Sequence, residues 1–217
     1  MGLINVEKIA LDTQQQYQDS VFPLVYSGQG CSDLAAVTDW LQEHREQIED
    51  ELTTHGALLF RGFGVTDDQG FDRFIRSFDW PSFTYEDSLS NAVRHNRTEL
   101  VFTANEAPAS VSIFLHHEMA QTPIYPSKLF FFCELAPDSG GATPICRSDI
   151  LLAHLQEEIP DFLADCENKG LRYSQTMPAE NDLESGQGRS WRSTLSAESI
   201  KEAEAKLARL NYEWQWQ

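Results

Sequence analysis

His116 and Glu118, in the stretch Leu115-His116-His117-Glu118-Met119, put an imidazole and a carboxylate two residues apart. In an extended segment side chains alternate faces, so these two would project to one side and His117 to the other. A nitrogen and an oxygen donor converging from one strand are two parts of the 2-His-1-carboxylate arrangement that holds non-haem Fe(II) with positions left open. The third donor should be a histidine distant in sequence. Read alone, one H-x-E triplet is weak, because a single histidine beside an apolar stretch is more often structural than a ligand. A zinc or nickel site made from His116, His117 and Glu118 is also open; neighbours on a strand face opposite ways, which ranks it last.

The elements around the triplet read as follows. Thr98 to Phe102 and Ser110 to Leu115 carry the β-branched and aromatic bias of strands, with Ala107-Pro108-Ala109 breaking between them. Leu129-Phe130-Phe131-Phe132-Cys133 is an apolar run of strand length, expected to be buried on both faces. Asp138-Ser139-Gly140-Gly141 is a turn, and Ala142 to Cys146 a further short strand. Leu171 to Thr176 and Tyr212 to Gln217 also read as strands. Helices are expected from Ser32 to about Thr54, with Ser32 as N-cap and Gly56 as stop, and from Asp67 to Phe78. Others run from Ser148 or Asp149 to about Glu158, from Pro160 to near Gly170, and from Ser196 to Leu210. Ala57 to Phe60 is a short buried strand closed by Arg61-Gly62-Phe63-Gly64. Residues 1–30 read as an irregular or partly extended lead-in, and residues 178–193 as a polar loop.

Composition sets the outer bounds. At 217 residues the chain suits one domain spanning 1–217 with a sizeable core. Thirty-four acidic against 16 basic residues give a formal charge of −18, a surface that repels phosphate backbones and argues against nucleic acid as a partner. Cys31, Cys133, Cys146 and Cys166 have no zinc-ribbon spacing, and Cys133 and Cys146 read as small core residues. No apolar run approaches a membrane span and no leader opens the chain, so a cytoplasmic location and no membrane partner are expected.

Taken in order, the H-x-E triplet, the Pro-bearing loop from Thr122-Pro123 to Pro126, the aromatic run and the Gly-Gly turn resemble a known family. The likeness continues through Thr143-Pro144 to Arg147-Ser148-Asp149, and Gly56-Ala57-Leu58-Leu59-Phe60-Arg61-Gly62-Phe63 looks like the same family's early core strand. That family is the TauD/TfdA, clavaminate synthase-like group of Fe(II)- and 2-oxoglutarate-dependent oxygenases. The resemblance implies an α+β fold, a double-stranded β-helix (jelly-roll) core with flanking helices. It implies Fe(II) and 2-oxoglutarate as cofactors, His116 and Glu118 as metal ligands, and Thr143 as a hydroxyl donor to the 2-oxoglutarate carboxylate. Halogenating relatives carry a small residue in place of the acid, so Glu118 points to hydroxylation. Glutamate there looks like the clavaminate synthase and amino-acid β-hydroxylase branch, which suggests a small polar or amino-acid-like substrate, free or carrier-bound. Asn105 and Glu106 stand where relatives often shape the substrate pocket, though a solvated turn explains them equally well.

The family pattern also includes a second histidine far downstream, followed by an arginine. The histidine that follows His117 here is His154, 36 residues past Glu118 on an expected helix, too close and on the wrong element for that role. Arg189 and Arg192 have no tie to the arginine's role. The expectation is an N-terminal portion of such an oxygenase, incomplete at its C-terminal barrel strands, with a complementing C-terminal chain or a homo-oligomer as possible partners. The competing reading is an inactive truncated homologue that serves as a binding or assembly module.

Overall fold

Leu24–Ser27 is the central strand of the first of two compact units. In the computed structural model, residues 4–83, 89–90, 94–104, 112–182 and 188–217 are described. One unit comprises Met1–Pro81 with Phe130–Ala153, the other Ser82–Leu129 with His154–Gln217.

In the first unit β1 (Glu7–Ile9), β4 (Leu24–Ser27) and β5 (Leu58–Arg61) form a sheet in the order β1-β4-β5. β1 runs antiparallel to β4, and β5 runs parallel to it with Tyr26 opposite Phe60. A hairpin of β2 (Gln15–Gln16) and β3 (Val21–Phe22) lies between β1 and β4 in the chain. The lead-in therefore supplies four strands, one of them the most buried in the sheet. Its apolar stretch is only Val21 to Tyr26, too short to be told from a loop by pattern.

Parallel β4 and β5 need a crossover, and two helices make it, α1 (Leu34–Glu43) and α2 (Arg45–His55). The single helix expected here is broken at His44, whose φ of −102° and ψ of 10° interrupt the helical run. The N-cap is Asp33, not Ser32: its carboxylate accepts from the Ala35 N–H at 2.9 Å. Gly56 ends α2 as expected, with φ 77°. Asp67 caps α3 (Asp68–Arg76) by accepting from the Gly70 N–H at 2.7 Å.

The core of this unit is aromatic. Tyr26 stacks on Phe60 at 5.3 Å and 10°, Phe60 meets Phe63 and Phe74 edge-on, and Phe74 leads to Phe78 and Trp80. Val37, Leu41 and Ile48 fill the helix side. At the rim the Tyr26 hydroxyl donates to Glu51, which also accepts from Lys8 at 2.6 Å and Gln47 at 2.8 Å. Burial pushes the Glu51 carboxyl up, but the Lys8, Tyr26 and Gln47 hydrogen bonds outweigh it and hold the group below its usual range. Burial and the Glu51 carboxylate push the Tyr26 phenol upward.

Helix α4 (Ser148–Glu158) begins in this unit and ends in the other, and α5 (Pro160–Lys169) follows with Gly170 as its stop. In the second unit α6 (Trp191–Leu195) and α7 (Ile200–Arg209) enclose Leu89, Leu195, Ala197, Ala203 and Leu207. α6 falls at the end of the expected loop, and α7 starts later than Ser196 because Ser199 is the N-cap, accepting from Glu202 N–H at 3.3 Å.

The expected central and C-terminal strands are not strands here. Among the described residues, 112–115, 129–133, 142–146, 171–176 and 212–217 form no ladder. Phe114 is 82% exposed and Phe131 67%, so the apolar run is not buried on both faces. Cys133 and Cys146 are exposed too, and Cys31 is the buried cysteine. The reason is non-local: strand propensity becomes a strand only where another backbone offers its N–H and C=O groups. The double-stranded β-helix thus is not among the described elements, which are a mixture of helices and small sheets. No helix among the described residues is long and apolar enough to cross a membrane.

Candidate functional site

Glu118 is set by a turn and an anchor. The chain runs without a ladder through His117 and then turns, with the Ala120 N–H donating to the His117 carbonyl at 3.3 Å. Met119 takes a left-handed φ of 59° and is 2% exposed. A non-glycine residue tolerates that backbone only when its surroundings hold it, and here the buried side chain and Thr122 do so. The Thr122 N–H donates to Met119 O at 3.0 Å, and its hydroxyl lies 2.6 Å from Ile124 O. Glu118 is therefore half-buried, while His116 and His117 are exposed.

Facing Glu118 is Arg94. Its Nη2 lies 3.5 Å from both carboxylate oxygens, and the two side chains are only 18% and 14% exposed. Arg94 is carried by a small hairpin in which Asn96 pairs with Phe102 and the Thr103 N–H donates to His95 O at 2.9 Å. Thr98 turns that hairpin, its hydroxyl accepting from Leu100 and Val101 N–H groups at 3.2 and 3.1 Å. So the strand expected over Thr98 to Phe102 is instead a chain reversal. Arg94 Nη1 also reaches Thr103 O at 3.4 Å.

The His116 ring is oriented by its own segment. Nδ1 lies 2.6 Å from Phe114 O, and since a carbonyl only accepts, Nδ1 carries the proton and donates. In the neutral ring this leaves Nε2 as the donor nitrogen, the arrangement seen when a histidine ligates a metal. Donor type thus suits an iron site at His116 and at Glu118. Donor number does not: among the described residues no group of three or more His, Cys, Asp or Glu gathers where a metal could sit. As arranged, these residues do not make an Fe(II) site.

Thr143 belongs to the other unit, exposed in the segment after Gly141. Close by in sequence, Arg147 donates to Ser20 Oγ at 2.7 Å, to Thr54 O at 3.2 Å and to Asp149 at 2.9 Å, with the Tyr17 ring 5.3 Å away. The guanidinium holds the Asp149 carboxyl below its usual range. This residue ties the Thr143 segment to the β2–β3 hairpin and the end of α2, a role the sequence motif did not reveal. His154 is on α4, as expected, and exposed. Arg189 is occupied structurally, donating to Ser193 Oγ at 3.1 Å and Ser90 O at 3.2 Å. Asn105 and Glu106 lie outside the described residues. Arg94 was missed because its one sequence signal is a positive charge between the helix expected to end at Phe78 and the strand expected to start at Thr98.

Residues 20–215 match the family described as Taurine catabolism dioxygenase TauD, TfdA family. A clavaminate synthase-like protein of Arabidopsis thaliana is 33% identical over 209 residues, covering 94% of this chain and 63% of that protein. The dapdiamide synthesis protein DdaC of Enterobacter agglomerans is 29% identical over 182 residues, 84% of this chain and 51% of its own length. The chain therefore spans between half and two-thirds of the length of these relatives. With a match that takes in His116, Glu118 and Thr143 alike, the chain belongs to the TauD/TfdA dioxygenase family.

Proposed function

We propose that this chain, as a single family domain, supplies part of an Fe(II)- and 2-oxoglutarate-dependent hydroxylase of a small polar or amino-acid-like substrate, free or carrier-bound. Its reaction is coupled to decarboxylation of 2-oxoglutarate to succinate. The observation that carries this is the family match over residues 20–215 with His116 and Glu118 two apart inside it. In this reading His116 Nε2 and the Glu118 carboxylate are metal ligands and the Thr143 hydroxyl donates to 2-oxoglutarate. The remaining jelly-roll strands and the third donor come from further polypeptide, a complementing chain or a second copy. A cytoplasmic location is part of the same proposal.

A second reading, a binding or assembly module without turnover, is favoured by the Arg94–Glu118 pair and by the lack of a three-donor group among the described residues. Anaerobic Fe(II) titration of the chain together with the polypeptide that supplies the third donor, followed by 2-oxoglutarate and air with succinate quantified, separates the two. The oxygenase reading expects Fe(II) binding that weakens at least about tenfold in His116→Ala and in Glu118→Gln, since each loses one of very few donors. It also expects succinate that disappears in both variants. Iron binding without succinate favours the module; equal binding by all three proteins sinks the metal assignment.

A further inference from the structure

The run Phe130-Phe131-Phe132-Cys133 has the side-chain pattern of a strand without a neighbour. Its burial alternates with a period of two: Phe130 and Phe132 are half-buried, Phe131 and Cys133 exposed. The inward pair rests on the aromatic side of α3 and the residues just after it. Phe132 stacks on Phe71 at 5.2 Å and 29°, and Phe130 lies 5.5 Å from Phe78 and 6.0 Å from Trp80. All of these residues belong to the first unit. The outward ring, Phe131, is 67% exposed. Among the described residues no backbone hydrogen bond reaches residues 130–133, so a row of N–H and C=O groups is unpaired there. An extended backbone with open hydrogen-bonding edges is a template onto which an outside strand can add. The two aromatic anchors hold this template ordered, so docking would lose less conformational freedom.

We propose that residues 130–133 are a strand-docking edge, and that its occupant is an apolar strand of the polypeptide that brings the remaining jelly-roll strands. The inference rests on the reading of this chain as part of a larger oxygenase. In each of the two relatives more than a third of the length lies outside the match, and that length can supply such a strand. The formal charge of −18 selects against a second copy of this chain and favours a neutral or basic strand. Pairing would add the ladder and lay an apolar side chain of the occupant over Phe131.

The test is hydrogen–deuterium exchange of the full chain, read by mass spectrometry, alone and with one probe. The probe is the part of the Arabidopsis thaliana relative that lies outside its match to this chain. Alone, the amides of residues 131–133 should exchange fast; with the probe they should slow at least about tenfold. Phe131→Pro removes one N–H from the edge while favouring extended backbone before it, and should weaken probe binding about tenfold or more. Phe131→Asp leaves the backbone groups in place and spoils the apolar contact, so it should weaken binding too. Far-UV circular dichroism accompanies both variants, and should the proline variant lose its fold, the aspartate variant decides alone. Probe binding without slowing at residues 130–133, or equal binding by the folded variants, overturns the docking edge. Protection in the chain alone that grows with its concentration makes a second copy the occupant and overturns the proposal. Absence of probe binding overturns it as well, whereas the oxygenase reading stands or falls on the iron and succinate measurements.

Discussion

Tyr26 combines two roles in one side chain: a ring stacked on Phe60 inside the sheet, and a hydroxyl that donates to Glu51 at its rim. Tyr26→Phe keeps the first and removes the second, and should cost roughly 1.5 kcal/mol, the usual scale for a hydrogen bond to a charged acceptor. Its pH signature is more telling. Glu51 titrates lower in the folded chain than in the unfolded one, so its contribution is present above the ordinary carboxylate value of about 4.3 and is lost as pH falls through the folded value. Tyr26 titrates higher when folded, so its contribution is present below about 10 and is lost as pH rises through the folded value. In Tyr26→Phe the acid decline should be shallower and the alkaline decline attributable to this phenol should vanish. Urea unfolding followed by tryptophan fluorescence from pH 3 to 11 reads both limbs; parallel curves for the two proteins would refute the assignment. At this same scale the candidate ligands His116 and Glu118 could be named from spacing, because spacing is local. Arg94 could not, since its meeting with Glu118 depends on how a hairpin folds 24 residues away in sequence.

The elements divide along the same line. Gly56, Gly170 and Asp67 mark helix ends in the sequence and do so in the structure, since caps are made within a few residues of where they act. Strands were misread in both directions. Leu24–Ser27 became a central strand because β1 and β5 flank it, whereas Phe130 and its neighbours, richer in strand formers, found no ladder among the described residues. One tight connection after β5 offers a clean test of backbone demand. Gly64 has φ +67°, and a Cβ built there would collide with the Cys31 carbonyl oxygen; Gly30 has φ +73° with open space around it. Gly30→Ala should cost about 1 kcal/mol, the left-handed backbone penalty alone. Gly64→Ala bears that penalty and the collision, and should cost about 2 kcal/mol or more. Denaturant midpoints measured side by side would show the difference, and equal midpoints would mean that the β5 connection yields without strain.

For the molecule as a whole, the described residues hold two well-packed clusters and a considerable length of apolar chain left facing water. Phe114, Phe131 and Leu135, at 82%, 67% and 87% exposure, are among the described residues in need of cover. The formal charge of −18 opposes self-association through them, since like-charged copies repel at low ionic strength. Arg147 works against this looseness. Its hydrogen bonds to Ser20 and Thr54 leave the side chain only 13% exposed, in contrast to the 79% of Arg172, whose partner Glu213 is equally open to solvent. Trypsin needs a segment that can be drawn out into its cleft, so brief digestion should cut after Arg172 well before it cuts after Arg147. Mass spectrometry of the early fragments would reveal the order, and Arg147 cleaved first would mean the clasp is open in solution. If the clasp holds, it works as a molecular paperclip: a nicked chain would still keep the Thr143 loop on its own β-hairpin.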